Sequence, residues 1–287
     1  MGSRCEIRLY AAAEERAAAR ARAAMADVQR LEAKYSRYRN DSATAEINRV
    51  AAAGGAIDVD EETATLLDYA ATCHGQSEGL FDLTSGVLRE AWGRDCGALP
   101  DADTLERLLA RVGWSKVRWQ RPRLAFGASG MEIDFGGVVK EYAADRAAVI
   151  CSEAGFRHGL VDLGGDIKII GPHPDGAPWV VGIQHPRIAD AVMATLDVAY
   201  GAVATSGDYE RFLEIDGKRY CHILSPRTGM PVRGLAGVSV AAEECVVAGS
   251  ATTIAMLMED RGPGWLNEVG LPHVWMDQQL RVGGTYA

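Results

Sequence analysis

The order of apolar and polar positions divides the chain into a first part with helical periodicity and a second with strand periodicity. A short alternating run, CEIRLYA, predicts an opening strand. In the alanine-rich stretch that follows, Ala21, Met25, Val28, Leu31 and Tyr35 recur at helical spacing with charges between them, predicting an amphipathic helix over about residues 12–36. DEETATLLDYAATC predicts a second helix, with Leu66, Leu67, Ala70 and Ala71 facing inward and Asp60 as its N-cap. The central third alternates short strands with one helix, VVKEYAADRAAVICSEAG, which Gly155 stops from the position just past a helix end.

From Arg157 onward the pattern is mainly β, with HGLVDLG, DIKIIG and WVVGIQ separated by turns such as GPHPDGAP. RFLEI and KRYCHIL flank Asp216-Gly217, a strong two-residue hairpin signal. LAGVSVAA predicts a strand leading into a helix that starts at glycine, GSATTIAMLME, and HVWMDQQLRVGG predicts a closing hairpin. No repeat, low-complexity linker or charge block marks a boundary, so one mixed α+β unit over residues 1–287 is expected.

Composition narrows the function classes. With 48% hydrophobic and 24% charged residues, 287 residues can bury a core without staples. The net charge of −9 argues against a general nucleic-acid binder, which would show a basic face. The first 50 residues hold ten basic against seven acidic side chains, read as a solvated helix face. No apolar run approaches the roughly 18 residues of a membrane span, and MGSRCEIRLY lacks a signal-peptide pattern. No membrane insertion is therefore expected, and the location is expected to be cytoplasmic, or periplasmic if a leader precedes Met1. Cys5, Cys73, Cys96, Cys151, Cys221 and Cys245 show no C-x-x-C pair or zinc spacing, so reduced, mostly buried thiols are expected.

Four segments place glycines and small polar groups where packing alone would not ask for them. In GLFDLTSG, Asp82 and Thr84 share a glycine-bracketed turn. In MEIDFGGVVKEYAAD a short strand ends at Asp134, two glycines follow, and Lys140 falls in the first turn of a helix. Backbone N–H groups at such a start, with a lysine beside them, suit an anion such as phosphate; a purely structural turn is equally open. VDLGGDIK is a strand–GlyGly–strand step that reads first as a bulge or close backbone approach. The longest segment, AVATSGDYERFLEIDGKRYCHILSPRTGMPV, puts His222 on a strand ahead of the donor-rich turn Ser225–Gly229, with Thr205-Ser206-Gly207 upstream.

In this order the segments resemble the ApbE family of FAD:protein FMN transferases over essentially the whole chain. The resemblance rests on Met1-Gly2-Ser3, on Ser36-x-Tyr38 with Asp41-Ser42 and Asn48, and on GLFDLTSG, DFGGVVKEYAAD and VDLGGDI. It continues through TSGDYER and through His222-Ile223 with Pro226-x-Thr228-Gly229. It implies an α+β, T-fold-like unit of mixed, largely antiparallel sheets with helices packed on them. It also implies a reaction: FAD is bound, its pyrophosphate is split with Mg²⁺, and FMN passes to a threonine or serine hydroxyl of an acceptor protein, releasing AMP.

Residue by residue, the resemblance assigns Met1 and Tyr38 to the flavin or adenine part of FAD, and Leu80, Phe81 and Asp82 to an adjoining cofactor segment. Asp134 and Lys140 match contacts to polar parts of the cofactor, Ile223 a backbone contact, and His222 the histidine near the pyrophosphate. The metal site is where the chain departs. The family's Asp-x-x-x-Thr is here Gly249-Ser250-Ala251-Thr252-Thr253, so Thr253 remains, with the carbonyls of Gly137 and Thr252 as further ligands, and no aspartate. Glu141, where many members have glycine, is either a replacement carboxylate or a solvated helix-surface residue. Ser225 stands where aspartate is usual. Gly249 therefore keeps open the alternative of a non-catalytic FAD-binding module or an FAD pyrophosphatase. The acceptor motif in such systems resembles D-x-x-[ST]-G-A-[ST]. Thr84-Ser85-Gly86-Val87 and Thr205-Ser206-Gly207-Asp208 both fail it at the alanine, which implies a separate acceptor protein.

Overall fold

A computed structural model describes residues 4–93 and 98–286. Strand β1 (Cys5–Leu9) leads into the long helix α1 (Glu14–Tyr35), then α2 (Ala43–Ala53), β2 (Ala56–Asp58) and α3 (Glu61–Gln76). A 3-10 segment (Leu83–Glu90) and helix α4 (Ala102–Leu109) precede the hairpin of β3 (Val117–Gln120) and β4 (Arg123–Phe126). Helix α5 (Val139–Glu153) is followed by β5 (Gly159–Leu163), β6 (Asp166–Gly171), β7 (Trp179–Gln184), β8 (Val192–Val198) and β9 (Gly201–Gly207). Next come β10 (Phe212–Ile215), β11 (Lys218–Cys221), β12 (Leu235–Ala242) and helix α6 (Cys245–Met258). Helix α7 (Gly262–Glu268) and the strands β13 (His273–Asp277) and β14 (Val282–Gly284) close the chain.

The main sheet has seven strands in the order β1-β5-β6-β9-β12-β13-β14, every neighbouring pair antiparallel. Strand alternation gives it two covered faces. Along β9, Ala202 and Ala204 enter the core beneath α5 and α6, whereas Val203 meets Val181, Ile183 and Leu196 of the β7–β8 hairpin. Helix α1 packs on α5, so α5 is enclosed by α1, α6 and the sheet. The expected α+β class with mostly antiparallel strands is what the chain adopts. Among the described residues no helix is long and apolar enough to cross a membrane. Cys73, Cys151, Cys221 and Cys245 are buried thiols outside any disulfide, and Cys96 lies outside the described residues.

Local signals account for many boundaries. Asp60 caps α3 by accepting from the Glu62 and Thr63 N–H groups, both at 3.1 Å. The β10–β11 hairpin turns at Asp216-Gly217. Several elements depart from expectation: helix α4 is a second helix in the central third, where one was expected, and α7 was not indicated. Helix α2, capped by Ser42 Oγ on Ala45 N–H at 3.0 Å, was not indicated, because it buries only Thr44, Ile47 and Ala51 and shows a weak stripe. Helix α6 starts at Cys245, four residues before the glycine that was expected to open it. The reason is tertiary: the Asp145 carboxylate of α5 accepts from the Cys245 and Val246 N–H groups at 2.8 and 2.9 Å, a cap supplied from 100 residues away.

Candidate active site

The chain enters α5 through a turn built by Asp134. Its Oδ1 accepts from Gly136 N–H at 2.9 Å, and its Oδ2 pairs with Arg37 and lies 3.9 Å from Arg89. Arg37 also donates to the Tyr38 hydroxyl at 2.9 Å and sits 5.0 Å from the centre of that ring. Tyr38 is 82% exposed, an aromatic face held in place by a cation. The approach to the turn is fixed by Asn48, whose amide accepts from Ile133 N–H at 2.7 Å and donates to Ile133 C=O at 3.0 Å.

Lys140, in the first turn of α5, pairs with Asp166 and stands 3.6 Å from Glu141. Asp166 opens β6 directly after a turn in which Gly164 and Gly165 both take positive φ (69° and 91°), conformations open to glycine. The other Asp166 oxygen accepts from Thr205 N–H at 3.2 Å. The step expected to be only a bulge or close approach is thus a tight hairpin that also delivers a buried carboxylate to Lys140. Burial alone would lower the Lys140 pKa; the Asp166 and Glu141 charges outweigh it and hold the ammonium above the usual lysine range.

Glu141 corrects the reading of a solvated helix-surface residue. It is 7% exposed, and its Oε2 is buried without a hydrogen-bond partner. Burial, then the neighbouring Asp166 charge, raises its pKa above the ordinary glutamate value, with Lys140 opposing. The residue that makes room for it is Gly249 on α6. A Cβ at Gly249 would overlap Glu141 Cγ and lie 3.0 Å from Cδ and 3.2 Å from Oε1.

Helices α5 and α6 therefore meet in an antiparallel register. Asp145 faces Cys245, and Glu141, one turn earlier on α5, faces Gly249, one turn later on α6. Each four-residue interval advances about 6 Å along its helix; Thr253 lies one more interval along α6, whereas Gly137 lies in the turn that precedes α5. Thr252, fully buried, is committed inside: its hydroxyl donates to Gly249 C=O at 2.8 Å and accepts from Ser206 at 2.8 Å. Among the described residues no three His, Cys, Asp or Glu side chains converge to hold a metal ion. A cation here would rest on few carboxylates and on hydroxyl and carbonyl oxygens.

His222 follows β11 with its Nδ1 3.2 Å from the Arg211 carbonyl. A carbonyl oxygen only accepts, so Nδ1 carries the proton and Nε2 keeps its lone pair. Although the ring reaches solvent, desolvation by the surrounding chain lowers its pKa, and the Arg211, Lys140 and Arg37 charges add to this. The imidazole is held neutral at neutral pH.

The sequence-derived set separates into two groups. Arg37 ties Tyr38 to Asp134 in the turn before α5, where Gly137 also lies. Lys140 is in the first turn of the helix, and its charge and that of Arg37 are felt at His222; Thr252 and Thr253 lie on α6. Leu80, Phe81, Asp82 and Ile223 stand behind them. Leu80 and Phe81 are core side chains whose N–H groups both go to Ser77, and the Phe81 ring packs beneath Gly137. The Asp82 carboxylate accepts from Thr84 N–H at 2.8 Å, Thr84 Oγ1 at 2.7 Å and Trp114 N–H at 2.9 Å, so it ties its turn together. Ile223 is buried, and its carbonyl accepts from Val232 N–H at 3.0 Å. Met1 lies outside the described residues. Arg37 and Asp166 were not singled out by sequence. Their signals were adjacency to the Ser36-x-Tyr38 motif and to the two-glycine turn.

The model of the ApbE family matches residues 1–275. Among curated proteins, the FAD:protein FMN transferase of Vibrio cholerae is 31% identical over 236 residues, spanning 80% of this chain and 70% of that protein. The Treponema pallidum protein of the same name is 33% identical over 254 residues, spanning 80% and 69%. Among solved structures, the ApbE protein of Thermotoga maritima superposes with a TM-score of 0.91 at 31% identity, covering 99% of this chain and 94% of that one. The apo flavinyl transferase ApbE of Pseudomonas stutzeri gives 0.87 at 26% identity, covering 99% and 92%.

Proposed function

The chain belongs to the ApbE family, and from that premise we propose that it transfers FMN from FAD to a threonine or serine hydroxyl of an acceptor protein and releases AMP. The observation that carries this reading is Arg37 joining Asp134 to the exposed Tyr38 ring, with Lys140 in the first turn of the helix that follows and His222 held through Nδ1 by the Arg211 carbonyl. A stacked pyrophosphate substrate asks for those groups: cations for its phosphates, a base for the incoming hydroxyl and a flat face for a ring.

Each residue then has a defined task. Tyr38 offers its face to an aromatic ring of FAD, kept in orientation by Arg37. Arg37 and Lys140 face pyrophosphate oxygens, Lys140 turning from Asp166 to do so. His222 Nε2 accepts the proton of the acceptor hydroxyl as its oxygen bonds to the FMN phosphorus and the bond to the AMP phosphate breaks. A divalent cation such as Mg²⁺ supplies charge neutralisation on the phosphate oxygens. The Glu141 carboxylate, whose Oε2 has no partner, would hold it together with the hard oxygens of Gly137, Thr252 and Thr253. The acceptor is a separate protein carrying a D-x-x-[ST]-G-A-[ST]-type segment.

Incubation with FAD, Mg²⁺ and such an acceptor domain should give a covalently fluorescent acceptor, with AMP formed in step. AMP released equally fast without acceptor would instead favour a pyrophosphatase, and tight FAD binding without turnover a storage module. His222→Ala should slow transfer about 10²–10⁴-fold while leaving FAD affinity within a few-fold; equal rates would remove His222 from the chemistry.

A further inference from the structure

The contact between Glu141 and Gly249 points beyond the residues assigned so far. Glu141 is reached from α5, in the third residue of that helix, yet its carboxylate does not turn out to solvent. It lies across the helix interface in the space that a side chain at 249 would need. Its Oε2 is buried and has no hydrogen-bond partner, an arrangement that is costly to leave unanswered. The charges around it do not balance: Lys140 is shared between Asp166 and Glu141, Arg146 of α5 stands 3.6 Å from Asp27, and Lys168 of β6 is spent on Asp145 and Glu244 at 3.5 and 2.7 Å. When Glu141 is ionised, one positive charge is missing beside a buried oxygen that has no partner.

The other oxygens that the family pattern assigns to the cation are of one chemical kind. Thr253 lies one turn beyond Gly249 on α6, and Gly137 lies in the turn that precedes α5. These offer carbonyl and hydroxyl oxygens, neutral and hard, which suit a small divalent cation and need one anionic ligand to bind it well.

We propose that Glu141 is the charged ligand of a divalent-cation site between α5 and α6, and that it and Gly249 are an exchanged pair, in which only one of the two positions can carry the carboxylate. The inference rests on the flavin-transfer reading only in giving the cation a use; the site itself stands on the orphaned oxygen and the glycine cradle. It makes the pair non-additive. Adding a carboxylate at 249 while Glu141 remains forces two side chains into one space. Moving the carboxylate from 141 to 249 keeps one charge in that space.

The test is Mn²⁺ binding followed by electron paramagnetic resonance, on the full chain, both FAD-free and saturated with FAD. The wild type should hold one Mn²⁺, and E141Q, which keeps the shape and removes the charge, should weaken it at least about 10-fold. E141A should do the same, and E141A/G249D should return affinity to within a few-fold of wild type. G249D alone should melt below the wild type. Unchanged Mn²⁺ affinity in E141Q, or no Mn²⁺ bound by the wild type in either condition, would overturn the proposal. Failure of the parent reading looks different: Mn²⁺ binding that follows residue 141 with no acceptor ever labelled sinks flavin transfer and leaves the site. Equal labelling by wild type and E141Q sinks the site and leaves flavin transfer.

Discussion

Two clusters of opposite charges flank helix α1 and helix α5, and they are built to different rules. On the α1–α3 surface, Arg30 meets both Glu62 oxygens at 2.8 Å, and Lys34 reaches Asp60 at 2.7 Å and Glu62 at 2.9 Å. Arg30 also donates to Asp27 at 2.7 Å and Arg146 lies 3.6 Å from Asp27, so three bases face three acids, and the Arg30 contact, together with Lys34, holds the Glu62 carboxyl down at about 2 against the cost of its partial burial. Beneath α5, one lysine serves Asp166 and Glu141, one oxygen has no partner, and the Glu141 pKa moves the other way. The α1 cluster also leaves Asp27 Oδ2 without a hydrogen bond, but it has a base for every acid. A cluster that is left a charge short, in a buried place, is arranged around something that arrives later.

Substitutions should widen or erase that contrast. The largest effect on stability is expected for Lys140→Met, which strands two buried carboxylates without any base. Denaturant unfolding should show a loss of about 3–5 kcal/mol, as for a broken buried pair; a loss no larger than at a surface pair would make the two clusters equivalent.

Next comes Glu141→Gln in protein stripped of divalent ions. Because the folded state raises the Glu141 pKa, it holds that proton more tightly than the unfolded chain, and stability falls as pH rises above the unfolded value of about 4.5. The variant should therefore melt higher than the wild type at pH 8–9, by on the order of 1–3 kcal/mol, and the gap should close toward pH 4.5. A variant that melts lower at high pH would remove Glu141 from the uncompensated side of the comparison.

The smallest effect belongs to Glu62→Gln, less than about 1 kcal/mol at neutral pH because the pair is solvent-screened. Its sign is opposite. The Glu62 contribution is present above about 4.5 and is lost as pH falls toward about 2, so variant and wild type should converge only in strong acid.

How much of this was legible in the sequence depends on whether the cause was local. The α1 stripe, the Asp60 cap and the Asp216-Gly217 turn are written within a few residues, and the chain follows them. The start of α6 could not be read that way, since its cap comes from Asp145 on another helix. At the site, the resemblance singled out Tyr38, Asp134, Lys140 and His222, of which Arg37 joins the first two. It could not separate them from Leu80, Phe81, Asp82 and Ile223, because a residue that supports a turn and one that faces a ligand share the same short motif. Burial of Glu141 was hidden for a further reason. An alanine-rich helix such as α5, enclosed by α1, α6 and the sheet, has no polar stripe to mark which glutamate is covered.

The register between α5 and α6 also sets what lengths the gene can tolerate. Asp145 anchors one end of a four-residue interval and Glu141 closes the other, matched by Cys245 and Gly249 on the facing helix. Residues inside the interval can be exchanged for other helix formers, but their number cannot change. One inserted residue in α5 between 141 and 145 would turn Glu141 by about 100° around the helix and slide it about 1.5 Å, swinging the carboxylate off Gly249 while the Asp145 cap still held. In this stretch a one-codon insertion should do more harm than most missense changes, and libraries that vary loop length will find their tolerance elsewhere.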